Sequence, residues 1–113
     1  MIKIYHNNRC SKSRSGLEIL QKSGKDFEIV KYLENSPSVK ELEDIIKLLN
    51  IKPIDLIRKN EAIWKEQYKK KALSDSDIIS AMVKYPKLIE RPIIINGNKA
   101  VIGRPPELIL DIL

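Results

Sequence analysis

The side chains best suited to chemistry cluster in one short stretch, His6-Asn7-Asn8-Arg9-Cys10-Ser11-Lys12-Ser13-Arg14. It holds the chain's one cysteine, its one histidine and two of its five arginines. A lone cysteine is more often a small buried hydrophobe than a nucleophile, so its surroundings must decide. Cys10 falls between an apolar run that ends at Tyr5 and a helical pattern that starts at Ser11. That placement aims the unpaired N–H groups and the positive end of a helix at the sulfur. Thiols at helix N-termini or beside cations ionise at about 3.5–7.5, against about 8.5 for a free cysteine. Arg9, Lys12 and Arg14 crowd the same turn and favour the anion. Ser11 and Ser13 add hydroxyl donors, and Ser13, three residues on, brings its hydroxyl within reach of the sulfur. His6 either assists the thiol by hydrogen bond or charge, or is a solvated or capping residue of the loop. A helix N-terminus is also a ready anion site. A cationic, serine-bearing turn around a thiol therefore reads as a nucleophile that meets an oxyanion. The competing reading is a cysteine that only caps or packs the turn.

The remaining arginines are Arg58, Arg91 and Arg104. Arg58 ends a short turn that opens at Pro53. Arg91 and Arg104 each precede a proline and stand at the two outer ends of a terminal hairpin, which come together when it closes. Arginine suits a tetrahedral oxyanion because its planar fork donates two parallel hydrogen bonds. For any one of the three, the ordinary reading is a solvated surface charge.

The elements that must position these groups follow from periodicity. Residues 1–5 form a first strand, Ser11 to Gly24 a helix with Leu17, Ile19 and Leu20 on one face, and Phe27 to Val30 a second strand. Strand, helix, strand reads as a βαβ unit with parallel strands. Ser38 and Glu41 have capping-box spacing, ahead of Leu42, Ile45, Ile46 and Leu49 at helical intervals. A helix is expected over residues 60–71, with Trp64 and Tyr68 four apart, and another from Ser74 with Ile78, Ile79, Met82 and Val83 inward. Ile93-Ile94-Ile95, Asn96-Gly97 and Ala100-Val101-Ile102 spell a hairpin. A last helix carries Leu108, Ile109, Leu110 and Leu113. The class is α/β: βαβ and ββα halves with a helical insertion over roughly 38–85, in a single domain of 113 residues.

Composition narrows the function classes. An apolar fraction of 42% and a charged fraction of 32% suit a soluble globular domain. No apolar run approaches the roughly 20 residues of a membrane span, and the N-terminus lacks a signal-peptide core, so a cytoplasmic protein is expected. The net charge of +6 is scattered, Lys69-Lys70-Lys71 being the only run, and aromatic residues are not interleaved with the basic ones. That argues against nucleic acid as partner. One Cys and one His build no structural zinc site, and no metal or bound organic cofactor is expected. With no second cysteine, any reducing thiol must come from outside.

At His6–Arg14 the chain resembles the active-site loop of the ArsC family, the glutaredoxin-coupled arsenate reductases and their relatives. The resemblance continues through Tyr32-Leu33-Glu34-Asn35-Ser36-Pro37-Ser38, Leu56-Ile57-Arg58-Lys59-Asn60, Ile89-Glu90-Arg91-Pro92-Ile93 and Gly103-Arg104-Pro105-Pro106-Glu107, in order along essentially the whole chain. It implies a thioredoxin-like (glutaredoxin-like) fold. It also implies an arsenate reductase in which Cys10 attacks arsenate to form a thiol–arsenate adduct. Glutathione then serves as co-substrate, glutaredoxin completes the reduction, and arsenite leaves. By the same resemblance Arg58, Arg91 and Arg104 hold the oxyanion, His6 and Ser13 tune the thiol, and Arg91-Pro92 is a cis-proline step beside Cys10. Two departures stand out: Asn8 occupies a position where many members carry proline, which implies a less rigid loop, and the chain is shorter than some arsenate reductases. Two other readings use the same residues. One is a generic glutathione-dependent thiol oxidoreductase acting on mixed disulfides. The other is a Spx-like regulator that binds RNA polymerase, although Cys10-x-x-Ser13 lacks the second cysteine of that switch. A monomer is expected.

Overall fold

A computed structural model describes residues 2–69 and 71–113, which leaves Lys70 of the lysine run outside the described residues. The chain divides into two compact units, Met1–Asn35 with Arg91–Leu113, and Ser36–Glu90.

The first unit is built on strands β1 (Ile2–Tyr5), β2 (Phe27–Val30), β3 (Ile93–Asn96) and β4 (Lys99–Ile102) and helix α1 (Ser11–Ser23). The sheet order is β2-β1-β3-β4. β1 runs parallel to β2, with Ile2 opposite Phe27, and antiparallel to β3, with Ile2 opposite Asn96. β3 and β4 are antiparallel, with Ile93 opposite Ile102. The burial follows the residue pattern. Central β3 begins with a continuous isoleucine run and is fully buried at Ile93 and Ile94, whereas edge strand β2 interrupts its apolar residues with exposed Glu28. This is the thioredoxin-like arrangement, a βαβ half joined to a ββα half.

Ile2, Ile4, Leu20, Ile94 and Ile109 form the core of this unit, flanked by Leu17, Ile19, Phe27, Val101, Ile112 and Leu113. α1 buries Ser13, Gly16 and Leu20, so its innermost line is small at the N-terminal end. Leu17 and Ile19, expected on the inward face, are only half-buried. The hairpin turns through Gly97-Asn98, with Gly97 at φ 64°, the positive angle a two-residue loop requires at its first position. The last helix differs from the expected α-helix: Pro106–Ile112 is a 3-10 helix. Three residues per turn put Ile109 and Ile112 on one face, toward the core, and leave Leu108 and Leu110 exposed.

The second unit is helical. α2 (Val39–Leu49) starts at Ser38, whose Oγ accepts from the Glu41 N–H at 3.1 Å, and buries Leu42, Ile45 and Ile46. α4 (Asp75–Lys84) carries a reciprocal cap, Ser74 Oγ accepting from the Asp77 N–H and Asp77 accepting from the Ser74 N–H, both at 3.1 Å. The helix expected over 60–71 is shorter: α3 is Ala62–Gln67, and Tyr68 follows it with its ring stacked on Trp64 at 5.6 Å. Pro53–Leu56 and Pro86–Leu88 are 3-10 turns. Between them runs a bridge that periodicity did not reveal, Ile57 opposite Ile89, closed by Arg58 N–H to Leu88 O at 2.7 Å and Glu90 N–H to Leu56 O at 2.8 Å. Among the described residues no helix is long and apolar enough to cross a membrane.

Candidate active site

The loop between β1 and α1 is braced from within. His6 N–H continues the strand pairing to Val30 O at 3.0 Å. Asn7 Oδ1 accepts from the Arg9 N–H at 3.0 Å, and Asn7 O accepts from the Cys10 N–H at 3.1 Å. Arg14 reaches back, Nη1 donating to Asn8 O at 3.0 Å. Asn8 is thus held through its backbone where a ring would otherwise stiffen the chain.

Cys10 is the N-cap of α1, extended at φ −101° and ψ 122°, and its side chain makes no cap hydrogen bond to the helix. The position is buried. Burial alone pushes the thiol up, since an anion loses hydration. The Ser13 N–H, the Arg91 charge, the Lys12 N–H and the Arg91 hydrogen bond outweigh it, so the thiol lies below its ordinary value. Arg91 Nε donates to Cys10 Sγ at 3.2 Å. Arg91 is itself only 8% exposed, so its charge acts on the sulfur with little water between them.

Ser13 differs from expectation in how it serves the sulfur. Its hydroxyl is fully buried and engaged within the loop: Oγ lies 2.7 Å from His6 Nδ1 and accepts from the Asn7 N–H at 2.9 Å. Its backbone N–H is what favours the thiolate. His6 is buried, and burial pushes its imidazole below the ordinary value. Hydrogen bonding to Ser13 opposes that shift, and the charges of Arg14 and Lys31 add to it. His6 therefore acts as a neutral strut between strand and helix. The cations beside the cysteine in sequence also differ in role. Arg9, Lys12 and Arg14 are exposed, and the cation on the sulfur is Arg91, 81 residues away.

Arg91-Pro92 and Arg104-Pro105 are both cis. The hairpin ends meet as expected, Gly103 N–H donating to Pro92 O at 2.8 Å. Arg104 lies in the same unit as Cys10, on an exposed segment after β4. Arg58 belongs to the Ser36–Glu90 unit, where Nη1 pairs with Glu61 Oε1 at 2.7 Å and Nε lies 3.8 Å from Glu90 Oε1. The structure thus groups Cys10, Arg91, Ser13 and His6. Among the described residues no cluster of three His, Cys, Asp or Glu side chains could hold a metal ion.

Two glycines support this group and were not singled out by spacing. A Cβ on Gly16 would stand 3.0 Å from Pro92 Cγ and 3.1 Å from Ile109 Cδ1. A Cβ on Gly103 would meet the same two side chains at 3.1 and 3.0 Å. Their absence lets α1 and the hairpin close on Pro92, the residue after Arg91. The available signal was a glycine inside a helical pattern, which needs a packing reason.

The ArsC family model matches residues 5–112. The chain belongs to the ArsC family. An arsenate reductase of Haemophilus influenzae is 43% identical over 112 residues, covering 97% of each chain. The uncharacterized protein YfgD of Escherichia coli is 45% identical, over 99% of this chain and 96% of that one. The solved structure of an arsenate reductase from Vibrio cholerae superposes with a TM-score of 0.95 at 43% identity, covering 99% and 97% of the two chains. As an ArsC-family protein with arsenate reductases among such relatives, the chain is placed among oxidoreductases.

Proposed function

We propose that this ArsC-family protein reduces arsenate with glutathione and glutaredoxin, through Cys10. The observation that carries the reading is the buried Arg91 guanidinium, with Nε 3.2 Å from the Cys10 sulfur. A thiolate held ready by a fork-shaped cation is a nucleophile beside an oxyanion binder. In this scheme the Cys10 thiolate attacks arsenic. An As–S bond forms, and one arsenate oxygen takes up protons and leaves as water. Glutathione adds to the same arsenic in a second exchange and releases a second water. A glutaredoxin thiolate then attacks the glutathione sulfur. The As–S electron pair returns to arsenic, which becomes trivalent, and a mixed disulfide leaves. Water finally displaces arsenite from Cys10. Net, one arsenate and two thiols give arsenite, one disulfide and water. The chain's single cysteine accounts for the need for both outside thiols. Arg91 and Arg104 hold the arsenate oxygens, while Ser13 and His6 fix the thiol turn. Dependence on a glutathione pool assigns the reaction to the cytoplasm.

The test is arsenate-dependent NADPH oxidation with glutathione, glutathione reductase and glutaredoxin. Wild type is expected to turn over and Cys10→Ser to be inactive. Turnover by Cys10→Ser would overturn the nucleophile. A folded wild type that reduces a glutathionyl mixed disulfide but not arsenate would move the substrate to mixed disulfides.

A further inference from the structure

Beside the cysteine loop lies a pocket of about 80 Å³ lined by His6, Asn7, Asn8, Lys31, Leu33 and Glu34. A larger depression of about 320 Å³ shares Asn7, Asn8, Leu33 and Glu34 with it and adds Arg9. Its far wall is a formed turn, with the Glu34 and Asn35 N–H groups donating to Lys31 O at 3.1 and 3.0 Å. Its near wall is the braced Asn7–Arg9 segment, which ends one residue before the nucleophile. Leu33 is 43% exposed and gives the depression an apolar patch. Arg9, Lys31 and Glu34 are exposed, and no hydrogen bond or ion pair among the described residues holds their charged side-chain ends.

We infer that this depression, with Arg9, Lys31 and Glu34 on its rim and Leu33 in its wall, binds the acidic tripeptide thiol that serves Cys10. Such a peptide carries two terminal carboxylates, one ammonium and a central thiol. Two cations and one carboxylate around an apolar patch complement that pattern. Arg9 and Lys31 receive the carboxylates, Glu34 receives the ammonium, and the thiol faces the Cys10 end. The site is exposed, so each rim charge contributes modestly and specificity comes from their arrangement. The inference rests on the proposed use of glutathione, and it is tested without arsenate so that the two fail separately.

The probe is S-methylglutathione, which cannot react, titrated into isotopically labelled protein by NMR. The largest amide shifts are expected at Asn8, Arg9, Lys31, Leu33 and Glu34. Lys31→Glu, and separately Glu34→Lys, should weaken binding by about fivefold or more, with spectra otherwise superimposable on wild type. In the coupled assay the same variants should raise the glutathione KM by a similar factor. Shifts centred elsewhere, no saturable binding, or equal binding by both charge-reversal variants would overturn the site, whatever the arsenate assay shows.

Discussion

The segments around Arg91-Pro92 and Arg104-Pro105 use the same dipeptide, with the same cis bond, at matching ends of one hairpin. They end up with different physical roles. Pro92 is buried and sits where Gly16 and Gly103 leave no room for a Cβ, and Arg91 before it is buried against the Cys10 sulfur. Pro105 is exposed, precedes the terminal 3-10 helix, and leaves Arg104 exposed. Position in the packing, and not residue type, decides which arginine tunes the thiol. A buried guanidinium near a sulfur acts with little screening, whereas an exposed one works in water and salt.

The sharpest way to break this comparison is to remove each arginine in turn. Arg91→Ala should slow Cys10 alkylation at about pH 6 by roughly tenfold or more, the size of a lost charge-assisted hydrogen bond. Arg104→Ala should change it less than about twofold, while still raising the arsenate KM. Equal effects of the two variants on alkylation would erase the distinction.

The packing under Arg91 gives the next effect. Gly16→Ala forces a methyl against Pro92 Cγ at 3.0 Å. Overpacking of this kind costs about 1–3 kcal/mol, read from urea unfolding. It should also slow alkylation, because Pro92 carries Arg91. Gly24→Ala makes a control: its φ of 74° costs about 1–2 kcal/mol, yet nothing lies within 4 Å of its Cβ, so thiol reactivity should hold. Loss of reactivity in Gly24→Ala alone would count against the packing account.

Smallest is the pH effect of His6. Its imidazole is held below the ordinary value of about 6.5, chiefly by burial. As pH falls past about 6.5 the unfolded chain takes up the proton first. Stability present above that pH is therefore lost on acidification. Urea midpoints at about pH 7.5 and 5.5 should show a drop for wild type that is smaller in His6→Gln.

Much of this was legible in the chain. The βαβ order, the Ser38 and Ser74 caps, the hairpin and the cysteine at a helix start all follow from periodicity and local chemistry, because each rests on neighbours in sequence. What was not legible is long-range. Arg91 stands 81 residues from the sulfur it meets, while the cations adjacent to Cys10 are exposed. Ser13 has helical spacing to the thiol, but its hydroxyl is taken by His6 and Asn7. The terminal helix is 3-10 and not α, a distinction its apolar spacing does not carry, since Ile109, Ile112 and Leu113 pack on the core at intervals an α-helix also allows.

The most direct test of the central claim is the rate of Cys10 alkylation by iodoacetamide against pH, with and without arsenate. We expect a midpoint below the ordinary thiol value of about 8.5 and a rate that falls as arsenate saturates the site. A midpoint at or above that value, with no protection by arsenate, would contradict a thiolate poised by Arg91 to meet an oxyanion.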